Sequence, residues 1–189
     1  MEIQIRSTTG ATTRFAMNDE QKGLGLIEAL KPSEFFSQSV LRIQTGKRTS
    51  IFCMKTVESI FFATSLQANI REQPATRELR SIPETEYQEK LRILRRQYEP
   101  LEHLFEPGQD IHTLVALCCQ SGQRHFLDVE LIVGLRVEQL MDLHTRLGRL
   151  TCVIPCRPEG YIAINPFTIQ QIEIYPAPQE TPHTAWLVG

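Results

Sequence analysis

The chain has 189 residues, 41% of them hydrophobic and 22% charged, with a formal net charge of −2. Such a composition is globular rather than disordered, and the length suits one or two domains with a substantial core. The near-neutral balance makes nucleic acid an unlikely partner, because a general nucleic-acid binder carries a basic footprint. No run reaches the roughly 18 apolar residues of a membrane helix, and MEIQIRSTTG holds no signal-peptide core, so no membrane partner is expected. Five cysteines, odd in number and without secreted-scaffold spacing, fit a reducing, cytoplasmic setting with free thiols.

One frame occurs twice. Ile3, Ile5, Gly10, Phe15 and Met17 recur as Val115, Leu117, Gly122, Leu127 and Val129, each 112 residues on. Thr56, Val57 and Ile60 recur at the same offset as Thr168, Ile169 and Ile172. A repeated apolar frame with little identity implies a duplicated fold. The first repeat, residues 1–65, opens as a β-hairpin. An odd loop centred on Gly10 pairs Ile5 with Phe15 and Ile3 with Met17, giving one apolar face. A helix follows, with Asn18 and Gln21 as its capping box and Pro32 as its stop. A short turn from Ser33 carries Phe35 and Phe36. Strands at Val40–Ile43 and Ile51–Met54, with Gly46 between, and at Ser59–Ala63 complete the unit.

Residues 66–110 read as a charged helical connector. Ser81 and Glu84 suggest a capping box around Pro83. Tyr87, Leu91, Leu94, Tyr98, Leu101 and Phe105 then step by four and three, with Pro100 as a break. This stripe has two readings: packing on one repeat's sheet, or a coiled-coil-like contact with a second copy.

The second repeat, residues 111–176, uses the same frame. A loop centred on Gly122 pairs Leu117 with Leu127 and Val115 with Val129. Val137, Leu140, Met141 and Leu147 have helical spacing, ended by Gly148. Strands are expected at Leu150–Ile154, Tyr161–Asn165 and Ile169–Tyr175. A Pro-rich tail, 177–189, carries the single Trp186. The expected fold is therefore α+β: tandem duplicated β-β-α-β-β units with antiparallel sheets, related by a pseudo-two-fold axis and joined by a central amphipathic helix.

Chemistry is sparse. Cys119 and His125, placed opposite each other by the expected register, are the candidates for a thiolate–imidazolium pair. Their counterparts, Ser7 and Thr13, have no such chemistry. No CxxC-type ligand pairs occur, so no metal is expected. Glycine-rich phosphate loops are absent, and no cofactor is implied. Lys47 and Arg48 form a basic turn, a weak anion site. Tyr87, Leu91, Leu94, Tyr98 and Trp186 are the candidate interaction residues. These features point to a non-catalytic interaction or scaffold module that binds another protein or its own copy. The rivals are an enzyme or small-ligand protein using the groove between repeats, and nucleic-acid binding through a sheet face.

Overall fold

The computed structural model describes residues 1–70, 76–98, 110–132 and 153–176. Its first hairpin joins β1 (Glu2–Ser7) to β2 (Thr12–Ala16). Gly10 has φ +85°, its N–H donates to Ser7 O, and Ser7 N–H donates to Ala11 O, both at 2.9 Å. This is a three-residue loop with glycine in its last, left-handed position. Gly10 therefore ends the loop rather than centring it. The register moves by two residues from the expected one, so that Ile3 faces Phe15 and Ile5 faces Thr13. The same loop, with Gly122 at φ +81°, joins β7 (Asp110–Cys119) to β8 (Arg124–Ile132). There Val115 faces Leu127 and Leu117 faces His125. An even shift leaves every side chain on its face, so the apolar face stands.

Helix α1 (Glu20–Ala29) is capped by Asp19, which accepts from Lys22 N–H at 3.1 Å, one residue beyond the expected Asn18. Gly23 lets this helix close on the first hairpin: a Cβ there would meet Met1 Sδ at 2.5 Å. After α2 (Pro32–Phe36), β3 (Val40–Thr45) and β4 (Arg48–Cys53) pair as a separate two-stranded ribbon. β5 (Val57–Ala63) returns beside β1, with Ile5 facing Ile60.

The connector is not wholly helical. Residues Thr76–Ile82 form β6, which pairs with β8, before α3 (Glu84–Tyr98). Ser81 stays in that strand, and Tyr87 N–H bonds Pro83 O at 3.0 Å in the first helical turn. Little in TRELRSI signals a strand; the open side of β8 supplies the partner that makes it one. β9 (Ile154–Pro155), β10 (Tyr161–Ile164) and β11 (Ile169–Tyr175) follow. The expected helix around Val137–Leu147, the stripe's end at Leu101 and Phe105, and the tail with Trp186 lie outside the described residues.

The strands make a five-stranded sheet, β2-β1-β5-β10-β9, and a four-stranded sheet, β11-β7-β8-β6. The chain is thus mixed α+β with mainly antiparallel sheets. Each sheet is apolar on both faces. Ile3, Ile5, Ile60 and Phe62 turn toward Ile27, Leu30 and Phe36 of the helices. The opposite face sends Phe61, Ile162 and Ile164 against Leu117, Leu127 and Val129 of the second sheet. The second sheet's far face, with Leu114, Ala116 and Phe126, is covered by α3. Hairpin β9–β10 therefore belongs to the sheet built on β1 and β5, and the two chain halves share a core. A two-fold arrangement would pair β4 with β11 in the same way. Among the described residues β4 pairs only with β3, and β11 only with β7. No described helix is long and apolar enough to cross a membrane.

Candidate functional site

Two places gather groups that a fold alone does not require. The first is a buried polar cluster between the sheets. The ladder from β1 to β5 steps from Arg6↔Ser59 to Ser7↔Val57, leaving Glu58 as the extra residue of a β-bulge. Bulges re-aim side chains, and Glu58 is wholly buried. Its carboxylate accepts from Ser121 Oγ at 2.6 Å and from Ser121 N–H at 2.9 Å. Arg6 Nε lies 3.7 Å away.

Cys119 and His125 sit beside this carboxylate. The corrected register makes them diagonal rather than directly opposed, yet their ligand atoms and that of Glu58 all lie within 4.8 Å of one another. Burial pushes the Cys119 thiol up to about 12 and draws His125 down to about 4. Near neutral pH the pair is therefore thiol and neutral imidazole, not the charged pair that activates a nucleophile. Glu58, Cys119 and His125 offer oxygen, sulfur and nitrogen, a mixed donor set for a metal. Arg6 already supplies the positive charge at that carboxylate, and both carboxylate oxygens accept hydrogen bonds. His125 Nε2 and Arg6 Nε are buried without a hydrogen-bond partner. The arrangement works as a polar clasp: β1 and β5 of one sheet held to the β7–β8 turn of the other.

Between the described parts of the two sheets lies an apolar layer that includes Leu117, Leu127, Ile162 and Ile164. An open cleft of about 450 Å³ lies elsewhere, walled by Ser81–Glu84 and Gly122–Phe126. It carries His125 on one side but no converging carboxylate from the first sheet.

The second place is the pair of strand edges. Asn165 N–H donates to Glu58 O at 2.9 Å, continuing the ladder in which Tyr161 faces Phe62 and Ala163 faces Ile60. Gly160 brings β10 to within reach: at φ +104°, a Cβ there would meet the Phe62 carbonyl oxygen at 2.6 Å. Every residue of β10 is buried. β4 differs. Met54 N–H donates to Ser39 O, so the alternation of an antiparallel ladder turns the backbone groups of Thr49, Ile51 and Cys53 away from β3. Ile51 is 63% exposed, and Val40 on the same face is exposed too. On β11 the direction follows from β7. Cys119 N–H bonds Gln123 O, which turns Cys118, Ala116 and Leu114 toward β11 and leaves Ile172 and Ile174 with outward backbone groups.

The remaining candidates are also located. Tyr87, Leu94 and Tyr98 are buried against Phe126, Leu114 and Ala116, with Leu91 partly buried beside them. Tyr87 and Phe126 have ring centroids 4.7 Å apart. Lys90 Nζ and Arg80 Nη2 each approach Asp128 at 2.7 Å and tie α3 and β6 to β8. Burial works to raise the Asp128 carboxyl, but these two cations hold it below its usual range. From Tyr87 to Tyr98 the stripe is thus occupied within the chain. Lys47 and Arg48 are exposed at the β3–β4 tip, away from the clasp. Sequence reasoning did not single out Arg6, Glu58 or Ser121. Compared with protein-family models, curated proteins and solved structures, the chain matches none.

Proposed function

We propose that the chain is a non-catalytic protein-interaction module: a duplicated β-β-α-β-β framework whose working surface is strand edge rather than pocket. The duplication is supported by hydrogen bonds that recur 112 residues apart. Ser7 N–H to Ala11 O matches Cys119 N–H to Gln123 O, and Thr8 N–H to Thr56 O matches Gln120 N–H to Thr168 O. Thr56 Oγ1 to Cys53 O matches Thr168 Oγ1 to Asn165 O. Ile5 faces Ile60 as Leu117 faces Ile172. The expected two-fold relation gains no such support, since among the described residues the β10–β5 ladder has no reciprocal; head-to-tail repetition accounts for a one-sided junction.

The observation that carries the function is that junction. One unit's hairpin completes the other unit's sheet, while the corresponding hairpin and edge, β3–β4 and β11, stay open among the described residues. An open edge is a template for strand addition. The enzyme alternative draws on Cys119 and His125, whose protonation states argue against it. A cytoplasmic setting belongs to the same proposal, supported by the free thiols of Cys53, Cys118, Cys119 and Cys156.

Residue-resolved amide exchange on the dilute full chain tests it. Ile60 and Phe62, whose N–H groups meet β10, should exchange slowly, and Ile172 and Ile174 fast. Equal protection of both pairs would mean that β11 is not an open edge.

A further inference from the structure

We infer that the occupant of the β11 edge is a second copy of this chain, which lays its β4 antiparallel on β11 with Ile51 opposite Ile172 and Thr49 opposite Ile174. The inference rests on the strand-edge reading above and adds the partner and the register. Its template lies within the molecule. β10 stands on β5 with Tyr161 opposite Phe62 and Ala163 opposite Ile60. Moving β10 back and β5 forward by the repeat offset gives Thr49 opposite Ile174 and Ile51 opposite Ile172.

Three independent features agree with that register. The residues it brings together are those whose backbone groups point outward on each strand, so each pair forms a hydrogen-bonded pair of an antiparallel ladder. The side chain it covers is Ile51, 63% exposed, a large apolar group on a strand otherwise rich in polar residues. It would join Ile172 and Ile174, which already pack on the edge of the core between the sheets. β4 has the length to do so, with six residues against the four of β10. Charge raises no barrier: Ser50 and Thr49 meet Glu173 and Ile174, and no like charges face each other. The chain's own β4 is held with β3, Phe52 packing edge-on against Phe15 of β2, and among the described residues it pairs with no other strand, so the donor comes from another copy. Each copy offers one donor hairpin and one acceptor edge. The contact is therefore heterologous, and it closes into a ring or propagates according to the rotation between copies.

Sedimentation of the full chain over a wide concentration range tests this, with Ile51→Asp and Thr49→Pro as variants. Both positions are exposed, and Thr49 N–H faces away from β3, so circular dichroism should report folded proteins. Wild type should self-associate, and each variant should weaken association at least about tenfold. A chain monomeric at every concentration would overturn the second copy as occupant. With fast exchange at Ile172 and Ile174 the strand-edge reading would survive; with slow exchange in that monomer the edge is covered by the chain itself, and both fail. Self-association unchanged by either variant would place the contact elsewhere and overturn the register.

Discussion

Hairpins β3–β4 and β9–β10 correspond under the proposed duplication, yet among the described residues only β10 has a strand on each edge. β10 is buried at every position, because it has β5 along one edge, β9 along the other, and apolar layers on both faces. The β3–β4 ribbon turns Leu41 and Phe52 to the first apolar cluster, where Phe52 meets Phe15 edge-on, and leaves Thr49, Ile51 and Cys53 to solvent. The difference teaches that covering layers decide burial and that composition follows them. YIAI, between two apolar layers, is apolar throughout, whereas RTSIFC, covered on one face, alternates.

Substitutions can break the comparison in graded steps. Glu58 should be the most sensitive position, because Glu58→Ala leaves the Ser121 donors and Arg6 without their buried acceptor; a loss of about 3–5 kcal/mol is expected in chemical denaturation. Gln170, 112 residues on and exposed, should tolerate Ala within about 0.5 kcal/mol. Equal losses at the two sites would remove the clasp from the account. Next come the hairpins themselves. Ile164→Ala, in a fully packed site, should cost about 2–5 kcal/mol. Ile51→Ala in dilute protein should cost less than about 0.5 kcal/mol. A large loss there would mean that β4 is already covered within the monomer.

The pH profile separates the halves more finely. His125 binds its proton only near pH 4 in the folded chain, against 6.5 for an ordinary histidine. The unfolded chain therefore binds more protons between those values, and stability falls as pH drops through that window. At about 1.4 kcal/mol per unit the loss reaches about 3 kcal/mol. Cys119 adds a second window: its folded value of about 12 exceeds 9.0, so stability falls as pH rises between them. Thr13, the counterpart of His125, does not titrate. Denaturant midpoints from pH 7 to 4 for the wild type and His125→Leu check this; a slope unchanged by the substitution would show that other groups carry it.

What was legible in the sequence was local. Alternating Ile3 and Ile5 around a glycine turn, the three-and-four spacing from Tyr87 to Tyr98, and the strands at Ile51 and Tyr161 all announce themselves within a few residues. The hairpin register was misjudged by two because glycine in a three-residue loop takes the last position, which spacing alone does not reveal. β6 was missed because Thr76–Ile82 becomes a strand only through the open side of β8. Glu58 was missed because its burial depends on a bulge and on a serine 63 residues away. Its one signal was a carboxylate between Val57 and Ser59 in an apolar strand, where the position 112 residues on is Gln170. The docking of β9–β10 on β5 joins segments about 100 residues apart, and the pattern of the proposed repeat does not say which copy completes which.

The claim that β4 of one copy completes β11 of another is tested most directly by a cross-link in the proposed register. Two proteins, one with Ile51→Cys and one with Ile172→Cys, both in a Cys53→Ser background, are mixed and mildly oxidised. Hydrogen-bonded antiparallel pairs stand about 5.5 Å apart between Cα atoms, within disulfide range. A disulfide should join the peptide with position 51 to that with position 172, formed between chains and in the mixture only. No such link at concentrations where the chain self-associates, or a link in a different register, would contradict it.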